Sequence, residues 1–369
     1  MKTIKNQKYT AYILLFLLTF GLSSRLVFAE TQGQESHEAV QAENNFNPGE
    51  YVMHHVSDAF EWHIATFGET NISIPLPIIL HSKNSGWHFF WSSKFHHGHE
   101  TYNNFRIAHE GENAGKIEEV NEHGELINLP IDLSITKAVA GIMFSVIILF
   151  WIFLTVAKSA KRNTGKAPKG IQNAVEPIIL FIRDEVAIPA IGNKRYEKFM
   201  PFLLSVFFFI LINNFMGLIP IFPFGANVTG NIAVTMVLAL FTFGITTFSG
   251  NKHYWKEIYN PDVPWWLKFP IPLMPIVELT GVFTKPFVLM VRLFANIMAG
   301  HMIVTVFVSL IFIFGKLMGI YAGVGISVVS IAFSTFILLL DVLVSFIQAY
   351  VFTLLSALYF GMATSEHHS

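Results

Sequence analysis

The sequence contains no cysteine, so neither a disulfide framework nor a thiolate metal site is possible. Charge is scarce too. Only 13% of the 369 residues are Asp, Glu, Lys or Arg, about half the share in an ordinary soluble protein. The formal net charge is -1, so no excess of either sign points to a nucleic-acid partner. The chain also lacks a G-x-x-x-x-G-K-[ST] phosphate loop, because Gly165-Lys166 is followed by Ala167. The chain therefore offers no phosphate loop for nucleotide chemistry of its own. No internal repeat relates the two halves of the chain, as the common secondary-transporter architectures would require.

What the chain has in abundance is apolar surface. Hydrophobic residues make up 53% of it, with 37 Phe. Long runs have almost no charge while others are crowded with it, the pattern of a polytopic membrane protein carrying a separate soluble segment. The start reads as a signal peptide over residues 1–29. Lys2, Lys5 and Lys8 precede a short apolar core, Ala11 to Leu22, and Val27-Phe28-Ala29 offers small residues for cleavage. An uncleaved anchor is the alternative.

Residues 30–130 read as an exported, acidic, histidine-rich segment, loop-rich with short strands such as Asn71 to Leu80. This segment holds fifteen acidic residues against four basic ones, and eleven of the fifteen histidines. Basic residues are the ones retained inside, so the balance suits the extracytoplasmic side. His96, His97 and His99 are weak candidates for a Zn²⁺ or Cu²⁺ site, since three close imidazoles could share an ion. No ligand spacing recurs, and a solvated loop is the plainer reading.

The remainder, 131–369, reads as an all-α membrane domain with about five crossings. Ala138 to Ala157 is the first, followed by Lys158, Lys161, Arg162, Lys166 and Lys169, which marks the cytoplasmic side. Ile171 to Ile191 carries Glu176, Arg183, Asp184 and Glu185 and suits the inner interface. Further spans run over Phe199–Ile219, with Pro201 in the first turn, and Asn231–Phe248. The loop after them bears Lys252, Lys256, Lys268, Trp255, Trp265 and Trp266, an interfacial anchor. Leu273–Phe314 and Gly325–Met362 are each long enough to cross twice, so these helices either tilt steeply or fold back, the first near Pro286. Gly315, Gly319, Gly323 and Gly325 mark the turn between them. The count leaves the C-terminus in the cytoplasm of a bacterial inner membrane protein.

Ionisable groups inside membrane helices are costly and indicate function by default. The two long helices hold Glu278, Lys285, Arg292, His301 and Asp341, with Asn296 and Gln348 as neutral polar groups. Glu278, Lys285 and Arg292 recur every seventh residue and share one helical stripe within about 20° per step, and Asn296 follows one turn on. His301 lies about 180° round from Arg292. Asp341, Ser345 and Gln348 form a second seam, continued by Tyr359. The seams could face each other as a satisfied buried network with Arg292 paired to Asp341. Alternatively Arg292, which cannot be deprotonated, acts as an electrostatic gate between two sets of titratable groups.

The stretch Thr284-Lys-Pro-Phe-Val-Leu-Met-Val-Arg292-Leu-Phe-Ala-Asn-Ile-Met-Ala-Gly-His301 resembles the signature of subunit a of F-type ATP synthases. Asp341-Val-Leu-Val-Ser-Phe-Ile-Gln348 through Tyr359, and the ending Met362-Ala-Thr-Ser-Glu-His, resemble that family's last helix. The resemblance covers roughly Ala138 to His367. It implies a non-enzymatic, cofactor-free stator subunit that conducts protons (or Na⁺) through two half-channels against a rotating c-ring, beside b subunits in the lipid bilayer. It implies that Arg292 prevents a proton short-circuit and that Glu278, Asn296, His301, Asp341 and Gln348 lie along the proton path. Many proteobacterial members carry an acid and a histidine at the positions of His301 and Asp341; here the two are exchanged, as in the mitochondrial form. Phe222 stands where some relatives carry an acid, and the segment before Pro130 is longer than usual. A secondary transporter or a membrane scaffold are the alternatives, and the scaffold leaves the intramembrane charges unexplained.

Overall fold

The computed structural model describes residues 58–67, 70–96, 98, 100–108, 113–121, 123–163, 166–219, 225–260 and 273–365. The expected signal peptide, His97, His99, Phe222, Trp265 and Trp266 lie outside the described residues.

The segment ahead of the membrane helices is richer in strands than a loop-rich reading implies. Strands β1 (Glu61–Phe67) and β2 (Thr70–Pro75) pair antiparallel. Strands β3 (Pro77–Ser82), β4 (Gly86–Trp91) and β8 (Ile131–Asp132) form a second antiparallel sheet with β3 central. Strands β5 (Phe105–Ile107), β6 (Ile117–Val120) and β7 (Leu126–Asn128) form a third. Ile78 and Leu80 alternate with outward residues along β3, and they close a small core with Phe95, Phe105 and Ile117. A buried acid joins the second sheet to the third, Glu119 accepting from Ser82 Oγ at 2.7 Å, and Glu118 pairs with Arg106 across the third sheet at 3.3 Å.

Five helices are long and apolar enough to cross a membrane. The first, α1 (Lys137–Arg162), starts where Thr136 accepts from Val139 N–H, and it ends on Lys161 and Arg162, favourable against the helix dipole. Helix α2 (Ile171–Phe181) continues through a π turn (182–187) into the short α3 (Ile188–Ile191). Gln172 ties this stretch to α1 through Ser159 Oγ at 2.8 Å. Helix α4 (Tyr196–Leu218) begins three residues before the expected boundary, which moves Pro201 from the first turn into the second. Helix α5 (Ile232–Ser249) is capped by Asn231, whose Oδ1 accepts from Ala233 N–H at 3.0 Å. The short α6 (Lys252–Tyr259) carries Trp255 stacked on Tyr259 at 6.1 Å.

Helices α7 (Leu273–Met318) and α8 (Ile320–Thr364) are unbroken over 46 and 45 residues, about 70 Å each at 1.5 Å per residue. The first does not fold back at Pro286, which is accommodated within it. The turn is also tighter than four glycines suggested. Gly315 lies within α7 and Gly325 within α8, and Gly319 alone reverses the chain with φ of 87°. That positive φ is open to glycine at little cost.

The core lies between α4, α5 and the C-terminal half of α8, with aliphatic residues packed around a set of Phe rings. Phe360 stacks on Phe199 at 4.9 Å and meets Phe202 edge-on at 5.6 Å, while Phe207 meets Phe346 at 5.8 Å. Helix α7 packs along α8 and against α5. Two glycines allow close approach. A Cβ at Gly361 would collide with the Ala190 carbonyl, and one at Gly141 would lie 2.8 Å from Ala226 Cβ.

Candidate functional site

The polar residues of the long helices are distributed between two small clefts, spaced along α7 to either side of Arg292. The first cleft is lined by Asn214 and Leu218 of α4, Asn296, Ile297 and His301 of α7, and Asp341, Val344 and Ser345 of α8. Here glycines set the geometry. A Cβ at Gly217 would meet His301 Nε2 at 3.4 Å, and one at Gly300 would lie 2.7 Å from Asp341 Oδ1. A side chain at Gly300 would hold Asp341 away from α7, while a Cβ at Gly217 would only touch the His301 ring. Asn214 is fixed from both sides: its Oδ1 accepts from Thr229 Oγ1 at 2.6 Å, and its Nδ2 donates to the Ser345 carbonyl at 3.4 Å. An oriented amide, an imidazole and a carboxylate thus line one cavity, a set able to accept and pass on a proton.

The second cleft is lined by Thr242, Phe243 and Thr246 of α5, Tyr254 of α6, Val282, Lys285 and Pro286 of α7, and Tyr359 of α8. Lys285 Nζ lies over the Tyr359 ring, 5.7 Å from its centroid. Thr242 Oγ1 and Ser356 Oγ are 3.3 Å apart beneath it. Burial pushes the Tyr254 phenol above its ordinary range, and the negative charge of Glu278 adds to the shift. Glu278, half-buried, thus lies near this cleft, although it lines neither.

Arg292 belongs to neither. Lys285 lies about 10 Å from it along the helix axis and Asn296 about 6 Å in the other direction. Its side chain is exposed on the face of α7 that also shows Val288, Asn296, Ala299 and Ile303. Among the described residues no hydrogen bond or ion pair involves the Arg292 side chain, and the pairing with Asp341 considered from sequence is not formed. A cation exposed on a helix long and apolar enough to cross a membrane is unfavourable there by about 3 kcal/mol unless something outside the chain receives it.

The seams therefore meet only in part. Asn296, His301, Asp341 and Ser345 come together, and Lys285 meets Tyr359. Gln348 is buried but lines neither cleft. Sequence reasoning passed over Thr229, Thr242, Ser356 and Tyr254 as site residues. The signal for Asn214, a lone amide pair with Asn213 in a Phe-rich span, was legible. The hydroxyls were not, because Ser and Thr routinely bond their own helix's carbonyls, as Thr246 does to Thr242 at 2.7 Å. Of the three histidines considered for metal, only His96 is described; it is exposed, with Nε2 3.6 Å from the Glu100 carboxylate.

Comparison with known proteins bears on both regions. A family model described as ATP synthase A chain matches residues 139–361. A second, described as Domain of unknown function (DUF8433), matches residues 51–134. ATP synthase subunit a 2 of Chlorobaculum tepidum is 46% identical over 244 residues, which span 64% of this chain and 65% of that protein. ATP synthase subunit a of Chloroherpeton thalassium is 44% identical over 242 residues, 64% of this chain and 68% of that one. The counterpart from Myxococcus xanthus is 40% identical over 260 residues, 68% of this chain and 80% of its own length. The chain thus spans just under two thirds of the first of these relatives.

Proposed function

The chain belongs to the ATP synthase A chain family, subunit a of F-type ATP synthases, and from that premise we propose that it is the proton-conducting stator subunit of the synthase's membrane sector. Its partners are then the c-ring and the b subunits, with any nucleotide chemistry on other chains. The observation that carries the reading is the exposed, partnerless position of Arg292 among the described residues, between two separate polar clefts.

A ring of subunits turning against the exposed stripe of α7 would bring its membrane carboxylates past Arg292 one at a time. The guanidinium favours the ionised carboxylate when the two are close. Being permanently charged, it cannot relay a proton between the clefts. Each carboxylate must then be protonated from one cleft and deprotonated into the other, which couples proton flow to rotation. With the basic flank after α1 taken as cytoplasmic, the Asn296–His301–Asp341 cleft, at the C-terminal end of α4, opens toward the extracytoplasmic side in this reading. The cleft holding Lys285, Tyr254 and Tyr359 then serves the cytoplasmic side, with Glu278 beside it. At about 70 Å, α7 and α8 are too long to stand upright in roughly 30 Å of hydrocarbon, so both tilt along the ring's surface.

The test is Arg292→Ala in the assembled complex reconstituted into vesicles. ATP-driven proton uptake should be lost while the complex still assembles. Retained coupled pumping would sink the gate assignment.

A further inference from the structure

Strand β4 has two sides with different fates. His88 and Phe90 turn inward, with Phe90 edge-on to Phe95 at 5.4 Å. Trp87, Phe89 and Trp91 turn outward and are 55%, 69% and 57% exposed. Antiparallel pairing sets Ile79 opposite Phe89 and His81 opposite Trp87, and sets Ile131 of β8 opposite His81. Opposed residues share a face, so the alternation of β4 becomes a continuous surface across three strands. Leu133 extends it, exposed and held by its N–H to the Ile79 carbonyl at 2.8 Å. The face is ordered: Trp87 stacks on Phe89 at 6.1 Å and meets His81 edge-on at 4.7 Å. An apolar face this continuous marks an interaction surface.

The course of the chain identifies what covers it. Strand β8 ends at Asp132, and the first membrane-crossing helix begins at Lys137. Five extended residues span at most about 17 Å. The sheet also holds the residues just ahead of that helix. Ile135 N–H donates to the Pro77 carbonyl at 3.0 Å, two residues before Lys137, and Ser134 Oγ accepts from Ile79 N–H at 3.1 Å. The sheet is thereby held near the polar layer, about 5–8 Å thick, that covers each side of the hydrocarbon. Trp is enriched at that depth because its ring is apolar and its N–H polar. The segment is otherwise acidic, yet two of its four basic residues flank this face: Lys83 in the β3–β4 turn and Lys94 just beyond Trp91, both exposed. Lipid phosphates complement them.

We propose that the outward face of the β3–β4–β8 sheet is a lipid-docking surface. Trp87, Phe89, Trp91, Ile131 and Leu133 sit among the headgroups of the leaflet that α1 enters, and Lys83 and Lys94 contact phosphates. The surface holds the soluble segment flat on the membrane beside the first helix. This inference rests on the membrane-spanning helices and is independent of the role of Arg292.

Because the chain is cysteine-free, the test places a single thiol. Phe89→Cys, at an exposed position whose loss spares the core, is labelled with a fluorophore in the full complex, reconstituted into phosphatidylcholine–phosphatidylglycerol vesicles. Lipids with a headgroup nitroxide should quench the label, and aqueous iodide should not. Glu100→Cys, exposed on the same segment away from the strands, should show the reverse. Adding Trp87→Ser and Trp91→Ser to Phe89→Cys should abolish the nitroxide quenching. Iodide quenching of Phe89→Cys would overturn the proposal by leaving the face in water. Shielding from both quenchers would overturn it by showing a protein cover, and persistence of nitroxide quenching in the serine variant would remove the aromatic residues as the anchor.

Discussion

Gly300 faces the Asp341 carboxylate so closely that a Cβ on the glycine would lie 2.7 Å from Oδ1. The absence of one side chain on α7 therefore sets where an acid on α8 can stand. Adding a methyl group to a packed contact costs about 1–3 kcal/mol unless the neighbour moves. Gly300→Ala should leave the complex assembled, because Asp341 can turn, while slowing proton uptake in vesicles. Gly300→Leu should block the cleft. Wild-type flux in both variants would show that the position of Asp341 is immaterial.

His301 and Asp341 line one cavity with Asn296. Positioned proton-transfer groups contribute about a hundredfold or more to rate. Asp341→Asn or His301→Ala should lower flux by about tenfold or more without dissociating the complex. The exchanged pair, His301→Asp with Asp341→His, should recover flux beyond either single exchange, since contacting residues couple. A double exchange no better than the worse single one would mean that the two side chains do not act together.

Asn296 and Ser345 line the same cleft, and Gln348 does not. Cysteines at 296 and 345 should be bridged by a short bifunctional thiol reagent in high yield, and cysteines at 296 and 348 poorly. The opposite order on a denaturing gel would contradict the packing of α7 on α8.

Asp58 accepts from the Ala138 and Ala59 N–H groups, acting as a remote cap for α1. Asp58→Ala should cost about 1 kcal/mol, as loss of a cap does. Burial raises the Asp58 carboxyl above its ordinary 3.8, more than its hydrogen bonds and Lys137 lower it. A folded-state pKa above the unfolded one means that the folded state holds the proton longer. Its contribution is full below pH 3.8 and is lost as pH rises through the folded value. The melting temperature of the wild type, relative to Asp58→Asn at equal pH, should therefore fall across that window. A relative rise would mean that the hydrogen bonds outweigh burial.

The membrane character of this chain and the order of its helices were legible in the sequence. Apolar runs of this length have no other stable solution, since hydrocarbon forbids an unsatisfied backbone. The same logic singled out Glu278, Arg292, His301 and Asp341, because a charge in such a run is expensive. Helical periodicity also placed Asn296 on the Arg292 side. Periodicity gives an angle around one axis, however, and cannot say which neighbour lies across it. Only the tertiary structure divided the polar residues between two clefts, turned Gln348 away from both, and left Arg292 facing outward. Gly300 shows why: the approach of Asp341 depends on a side chain that is not there, on the neighbouring helix. The three-strand face behind Trp87 and Phe89 likewise required β8 to return beside β3, a pairing across about fifty residues that no local pattern encodes.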